Sequence, residues 1–589
     1  MGNTGTSLLS RIGDFLQHRR PWWKLPRLLA VPRLIEIRNE LRQKNLHDTE
    51  HPPLAEWNGP VDANVREART FDGTWNDLKC PHMGAAGRRF GRNFSLAETF
   101  PDTANLMKPS PRTVSLELMT RTSFQPATIL NLMAASWIQF MVHDWFVHKR
   151  SATEFHTIPL PQGDNWPGGE MKVPASVPDL PQPADRPPAY ANENSHWWDG
   201  SSIYGSDAAA AAGIRTYFQG RIHVLPDGRI PVDPATETEN TGFTDNGWIG
   251  LSMLHGLFAL EHNYLCDHLH HLYPAATDEW LYNKARLING ALMAKIHTIE
   301  WTPAILPHPT TQLAMNTNWN GVTGDLQEVF KFLDESELLG GIVGSKADHH
   351  TAPYSLTEEF VSVYRMHALM PDDFTIRSAA DDKVLALLEL PAVSGKEGLK
   401  VRDRFSYTDL FYSFGRMYPG AIRLHNYPRH LQNLLRDNGE RLDLAAVDIL
   451  RDRERGVPRY NRFRRLLRME PVKSFEELTD NPVWCEEIRR VYNNDLESVD
   501  LMTGLYAEPL PDGFGFSETA FRIFVLMASR RLKSDRFFTG DFRPEIYTEF
   551  GMDHIKNTTM LHVLRRHFPA LSPALDGVAN AFHPWKKVE

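Results

Sequence analysis

Tyr364 stands three residues before His367 in the stretch Val363-Tyr364-Arg365-Met366-His367-Ala368-Leu369-Met370-Pro371-Asp372. In a helix that spacing places two side chains on one face, about 4.5 Å apart along the axis. A histidine that ligates a redox-active iron and a phenol at the edge of that centre need such a neighbourhood, because oxidising power made at the metal must pass to the phenol over a short distance. The product would be a substrate-oxidising tyrosyl radical. In isolation the pair reads more simply, as a buried tyrosine and histidine with ordinary core hydrogen bonds. Partners elsewhere in the chain must therefore carry the argument.

The stretch from Ala134 to Phe146 is apolar nearly all round and reads as a buried helix. Its polar intrusions, Gln139 and His143, stand four apart on one face, where an acid/base imidazole and an amide that positions peroxide or water can share a cavity. Asp144 turns about 100° away and is free to serve a different site. That site is offered by Ser195-His196-Trp197-Trp198-Asp199-Gly200-Ser201, in which Ser195, Trp197, Asp199 and Ser201 alternate. In an extended loop their oxygens would converge with the Asp144 carboxylate, and hard oxygen ligands of this kind suit calcium. Alone, such a loop is more often a turn with capped amides.

Together these segments resemble the haem peroxidase and cyclooxygenase superfamily, and within it the fatty-acid alpha-dioxygenases, over nearly the whole chain. The resemblance implies an all-α, predominantly helical catalytic domain with little β structure. It implies that His143 lies distal to haem with Gln139 beside it, and that His367 is the proximal iron ligand. Asp144, Ser195, Trp197, Asp199 and Ser201 would bind calcium, and Tyr364 would bear the catalytic radical. The segment Arg451 to Asn461 is similar to one whose first arginine meets a haem propionate, which points to Arg451. Three residues before it, peroxidases carry an asparagine bonded to the proximal histidine, and here Asp448 stands in its place.

Three further departures narrow the subfamily. Tyr364 replaces the arginine that mammalian-type peroxidases carry three before the proximal histidine, and their distal arginine has no counterpart, the count landing near Thr244. Poor peroxidase turnover is expected. Val142 stands where some relatives esterify an aspartate to haem, so an unlinked haem b is expected.

A fatty-acid head group inside an apolar channel demands fixed donors, because burying an unpaired charge is costly. The segment Lys295 to Ala304 is similar to one whose histidine and later threonine hold that head group, here His297 and Thr302. An arginine completes the set, and the sequence leaves Arg530 and Arg531 as equal candidates.

The chain of 589 residues has no interior Gly/Ser-rich linker or repeat and reads as one catalytic unit over 81–589, preceded by an amphipathic, basic segment within 1–80. Its three cysteines, Cys80, Cys266 and Cys485, are dispersed, which argues against a disulfide framework and for a reducing, cytoplasmic setting. A formal charge of −9 leaves no nucleic-acid footprint. Helical patterns run over 128–149, 248–274, 278–300, 356–369, 442–453 and 516–535. Nine prolines between residues 157 and 190 point to a long surface loop, and the end from Phe568 reads as peripheral. Ser7-Leu8-Leu9-Ser10 is too short for a secretory signal, and no transmembrane span is expected. The stretch from Trp22 to Ile35 mixes aromatic, aliphatic and basic residues; it can lie in a bilayer interface, cover the mouth of a channel, or pack on its own domain.

The expected activity is that of a haem-dependent fatty-acid alpha-dioxygenase. Tyr364 would remove a hydrogen from the carbon next to the carboxylate of a long-chain fatty acid, and O2 would add there to give a 2-hydroperoxy acid, which can decarboxylate to an aldehyde one carbon shorter. The rivals are a cyclooxygenase-like or mid-chain lipid dioxygenase, and a haem and calcium protein without turnover that binds lipid or senses peroxide. Peripheral membrane association stays open.

Overall fold

The structure, a computed structural model, describes residues 21–321 and 340–588. The Ser7–Ser10 stretch weighed above lies outside them.

A buried pair of helices forms the spine. The first, α2 (Met133–Trp145), follows α1 (Arg27–Lys44) and is buried along almost its whole length, as a helix with so few polar residues must be. It packs on α3 (Ile249–Leu272), which pairs in turn with α4 (Asp278–Ile296). The pattern expected over 278–300 is helical throughout but changes pitch, since residues His297–Trp301 form a π-turn before the short helix Thr302–Ile305. Pro303 has no N–H to continue an α-helical ladder, and the Thr302 hydroxyl donates instead to the His297 carbonyl at 2.9 Å. The wider turn presents His297 inward.

Three helices close the other side of the site: α5 (Glu358–Val363), α6 (Leu444–Glu454) and α7 (Glu518–Ser534). The helix expected over 356–369 is shorter than its periodicity suggests. It stops at Val363, Tyr364 adopts φ −90° and ψ 8°, and His367 opens a separate 3-10 turn to Leu369. Arg365 causes much of this, because its buried guanidinium reaches Asp452 at 3.4 Å and the Asp448 backbone carbonyl, drawing the chain down onto α6. Tyr364 and His367 therefore do not share one helix face.

Strands are few, as expected. The longest hairpin pairs β1 (Arg150–Ile158) with β2 (Met171–Ser176), so the proline-rich stretch is not loop throughout. Pro174 sits in β2 opposite Phe155, next to a register shift that spares the ladder a missing donor. The C-terminal end is not peripheral either: Phe582 and Trp585 are buried, Phe582 packs 5.5 Å from Trp137, and Asn131 donates to the Ala581 and His583 carbonyls. One hydrophobic cluster runs from Trp22 to Trp585, joining the segment after residue 21 to the catalytic unit. The sequence option of packing holds for α1, which lies on α7 and the helix Pro309–Asn320. Among the described residues no helix is long and apolar enough to cross a membrane.

Candidate active site

His367 is fixed from below. Its Nδ1 lies 2.7 Å from Asp448 Oδ2, and the same oxygen accepts the Tyr427 hydroxyl at 3.1 Å. Burial pushes the Asp448 carboxyl up, but His367, Arg365 and Tyr427 outweigh that and hold it below the usual carboxylate range. The departure from asparagine thus keeps the hydrogen bond and makes its acceptor an anion, which raises the basicity of Nε2, the nitrogen left for a metal. The His367 side chain is 35% exposed although Met366 and Ala368 beside it are buried. That combination fits an iron ligand.

His143 is buried on α2 with Nδ1 lacking a hydrogen-bond partner, and burial lowers its pKa to about 4, so it is a neutral base. Its ring packs on Phe243 at 4.3 Å, and the charge that this stretch brings near His143 is the Asp245 carboxylate. Gln139 faces the same side, but its amide is engaged: the oxygen accepts from Trp248 Nε1 at 2.9 Å and Nε2 donates to the Asn246 carbonyl at 3.4 Å. Arg451 is occupied as well. It donates to Glu454 at 2.5 Å and to the Pro174 carbonyl of β2, so the structure does not show the expected arm toward a propionate.

On the other side of α2, Asp144 meets the loop at 195–201, which bends rather than extends. Gly200, at φ 80°, makes the tight turn that starts the short helix Ser201–Tyr204. The Ser201 N–H donates to Asp144 Oδ1, and the Ser201 hydroxyl donates to Asp199 Oδ1 at 2.6 Å. Ser195 Oγ accepts from the Trp197 N–H at 3.1 Å, while the Trp197 indole donates to the Met83 carbonyl. Asp144 Oδ2 and Asp199 Oδ2 are both buried without a hydrogen-bond partner. Burial, and next the like charge of Asp199, push the Asp144 carboxyl up to about 8. The Arg286 guanidinium comes only within 4.0 Å of Asp199 Oδ2, beyond hydrogen-bond range, so a bound cation would still satisfy the two carboxylates.

The deepest cluster surrounds Tyr364, whose ring lies 5.2 Å from Trp145 and 4.5 Å from Phe360. Burial raises its phenol pKa, and nearby Arg531 opposes that only in part, so the phenol keeps its hydrogen. Of the two arginines left equal by the sequence, Arg530 spends both terminal nitrogens on the backbone carbonyls of Ser355, Ala352 and Pro353, with Nε alone unpartnered. Arg531 turns inward. Its guanidinium sits in the corner between the perpendicular rings of Trp145 and Trp198, 4.1 and 4.4 Å from their centroids, with Nε and Nη2 unpartnered. His297 faces the same pair of tryptophans, at 5.2 and 5.3 Å. An indole can only donate, so the Trp137 N–H at 3.2 Å makes His297 Nδ1 the acceptor and leaves the proton on Nε2, which is buried and unpartnered. Thr302 is also buried, but its hydroxyl already donates within the π-turn. Unused N–H donors on Arg531 and His297 thus converge beside an intact phenol. The sequence reading gives no role to Trp145 or Trp198, although both stand inside its motifs as apolar residues.

This geometry agrees with what the chain resembles. The animal haem peroxidase family profile matches residues 68–578. Alpha-dioxygenase PIOX of Oryza sativa subsp. japonica is 38% identical over 98% of this chain and 96% of the rice protein. The crystal structure of Oryza sativa fatty acid alpha-dioxygenase superposes with a TM-score of 0.92 at 35% identity, covering 99% of this chain and 98% of that one. A tyrosine-to-phenylalanine variant of the rice enzyme with palmitic acid superposes with a TM-score of 0.91 at 35% identity, again covering 99% of this chain and 98% of that one. The chain belongs to the animal haem peroxidase family and, within it, to the alpha-dioxygenases.

Proposed function

We propose that this protein is a haem-dependent dioxygenase that oxidises long-chain fatty acids at carbon 2, with Tyr364 as the hydrogen-abstracting residue. The observation that carries the reading is the convergence of unpaired Arg531 and His297 donors beside the Tyr364 ring. A carboxylate held there brings the adjacent carbon to the phenol, so regiochemistry follows from anchoring. A mid-chain oxygenase would need its head-group donors far from the phenol. Thr302 supports the head group indirectly in this reading, by holding the turn that aims His297.

His367, backed by Asp448, would hold the iron, and His143 would act as the proton-handling base on the opposite side. Haem, when bound, supplies the oxidising equivalent that a hydroperoxide provides. Tyr364, once it has given up its hydroxyl hydrogen, removes a hydrogen atom from carbon 2. O2 adds to that carbon as a peroxyl radical, which takes a hydrogen atom back from the Tyr364 hydroxyl to give the 2-hydroperoxy acid and restore the phenoxyl radical.

Calcium is part of the same proposal, held by Asp144, Asp199, the Ser195 and Ser201 hydroxyls and the Trp197 carbonyl. The orphaned oxygens of the two carboxylates support it. Membrane contact through α1 is supported by Leu29, which is 42% exposed beside exposed Lys24 and Arg27, and co-sedimentation with anionic vesicles tests it.

Incubating haem-loaded protein with palmitate and O2, then identifying the products by mass, tests the activity. Oxygen at carbon 2, or the aldehyde one carbon shorter, is expected. Oxygen in mid-chain would contradict the placement of the head group.

A further inference from the structure

A radical stored on Tyr364 has an obvious way to leak. Trp145 meets the Tyr364 ring edge-on at 5.2 Å, and Trp198 meets Trp145 at 5.7 Å, both steps short enough for electron transfer between aromatic rings. Each leak would return Tyr364 to the phenol. One electron would leave the Trp145 indole, its Nε1 proton would be lost, and the phenoxyl oxygen would gain an electron and a proton. The indolyl radical left behind would combine with O2, and the equivalent supplied by the hydroperoxide would be spent without substrate.

Two observations oppose that leak at both tryptophans. Arg531 places its guanidinium carbon over both perpendicular rings, 4.1 and 4.4 Å from their centroids, and all three side chains are buried. A cation over a ring's face is attracted to the neutral indole and repels the radical cation that electron loss creates. Trp145 Nε1 and Trp198 Nε1 are also both buried with no hydrogen-bond acceptor, so no base stands ready to take the proton that would relieve that charge. By contrast, the indoles of Trp137 and Trp301 have acceptors in His297 Nδ1 and the Ala134 carbonyl.

We propose that Arg531 has a second function beyond head-group recognition: it insulates the Tyr364 radical by making Trp145 and Trp198 poor electron donors. The proposal rests on the reading of Tyr364 as the radical-bearing residue. Asp144 already lies within electrostatic reach of Arg531, and the insulation is strongest when no substrate carboxylate is added, which is when a stranded radical has no substrate to consume it.

The test treats haem-loaded protein with an alkyl hydroperoxide in the absence of fatty acid, follows the tyrosyl signal by electron paramagnetic resonance, and maps oxygen added to tryptophan by peptide mass spectrometry. In Arg531→Met, oxidation of Trp145 and Trp198 should rise on the order of tenfold over wild type, with faster decay of the tyrosyl signal. The double variant Arg531→Met, Tyr364→Phe should return it to the wild-type level. Should the methionine variant fail to take up haem, Arg531→Gln, neutral and able to hydrogen-bond, replaces it with the same expectation. A tyrosyl signal in wild type with equal indole oxidation in wild type and variant overturns the proposal alone. Absence of any tyrosyl signal in wild type overturns the reading of Tyr364 and the proposal with it.

Discussion

At His367 the partner of the ring matters as much as the ring. Asp448 accepts from Nδ1 at 2.7 Å as a buried anion, so Asp448→Asn keeps the shape and removes the charge. Haem should be retained, its reduction potential should move positive, and activation by hydroperoxide should slow by about 10–100-fold, the usual cost of losing a ligand's outer partner. Spectroelectrochemistry with stopped-flow absorbance checks both, and an unchanged potential would deny Asp448 that role. The head-group residues should separate in the same quantitative way. His297→Ala removes an unpaired donor and should raise the apparent substrate requirement by about 1.5–3 kcal/mol. Thr302→Val strips a hydroxyl that donates to the His297 carbonyl, so its effect on substrate binding should be smaller, with a stability loss of about 1 kcal/mol. Equal effects on KM would put Thr302 in direct contact with substrate.

The residue types were legible before the structure: a tyrosine and histidine three apart, a glutamine and histidine four apart, two carboxylates in separate segments. The choice between Arg530 and Arg531 was not, because adjacent helical residues point about 100° apart and only the packing of α7 says which points inward. Nor could any spacing foresee that Trp145, Trp198 and Arg531, from three distant segments, make one cluster.

Among the elements, α5 leads directly into Tyr364 and is anchored at both ends, near its end by the Ser362 hydroxyl, which donates to Asp452 at 2.7 Å, and at its start by two carboxylates. Glu358 lies 3.0 and 3.1 Å from His148 Nε2, and Glu359 accepts from Arg92 at 2.9 Å and from the Asn93 N–H at 2.7 Å. Burial pushes the Glu358 carboxyl up, but His148 and then Arg455 overcome it and bring it down to about 2, from an ordinary 4.5. A carboxyl depressed on folding stabilises the protein above its unfolded pKa, and that stability drains away as pH falls toward the folded value. The wild type should therefore lose stability between about pH 4.5 and 2 through this group, and Glu358→Gln should flatten that part of the profile. Thermal unfolding across the range reads the difference; parallel profiles would mean that Glu358 is not ionised in the fold. Periodicity correctly finds α2, α3, α4, α6 and α7 to within a few residues. It overruns at Val363 because the apolar pattern continues while Arg365 pulls the chain toward two acids some 85 positions away, a tertiary contact that no local window contains.

At the scale of the molecule, the buried carboxylates join α2 to the loop at 195–201, so a cation there would couple the two faces of one helix. Chelation should lower stability and loosen haem, and restoring calcium at a hundredfold excess over its dissociation constant should return about 2.7 kcal/mol. Asp144→Asn should blunt that response. Metal analysis that finds no calcium, with no effect of chelator, would remove the ion from the account. The C-terminal end belongs to the same core through Phe582 and Trp585, although its short, proline-punctuated sequence reads as a tail; its apolar residues are broken by Pro569, Pro573, Gly577 and Pro584 into runs too short to show a period, and Trp137 and Gly415 lie beneath them.

In the proposed reading these parts serve one event, the removal of hydrogen from the carbon beside an anchored carboxylate by a phenoxyl radical, and Tyr364→Phe tests it most directly. The substitution removes one oxygen and keeps the ring that packs against Trp145 and Phe360, so fold and haem should be retained. A phenyl ring has no hydroxyl hydrogen to lose. Haem-loaded Tyr364→Phe should still react with hydroperoxide, bind palmitate and form no product oxygenated at carbon 2, as judged by mass spectrometry. Oxygenation at carbon 2 at the wild-type rate would show that Tyr364 is not the hydrogen-abstracting residue.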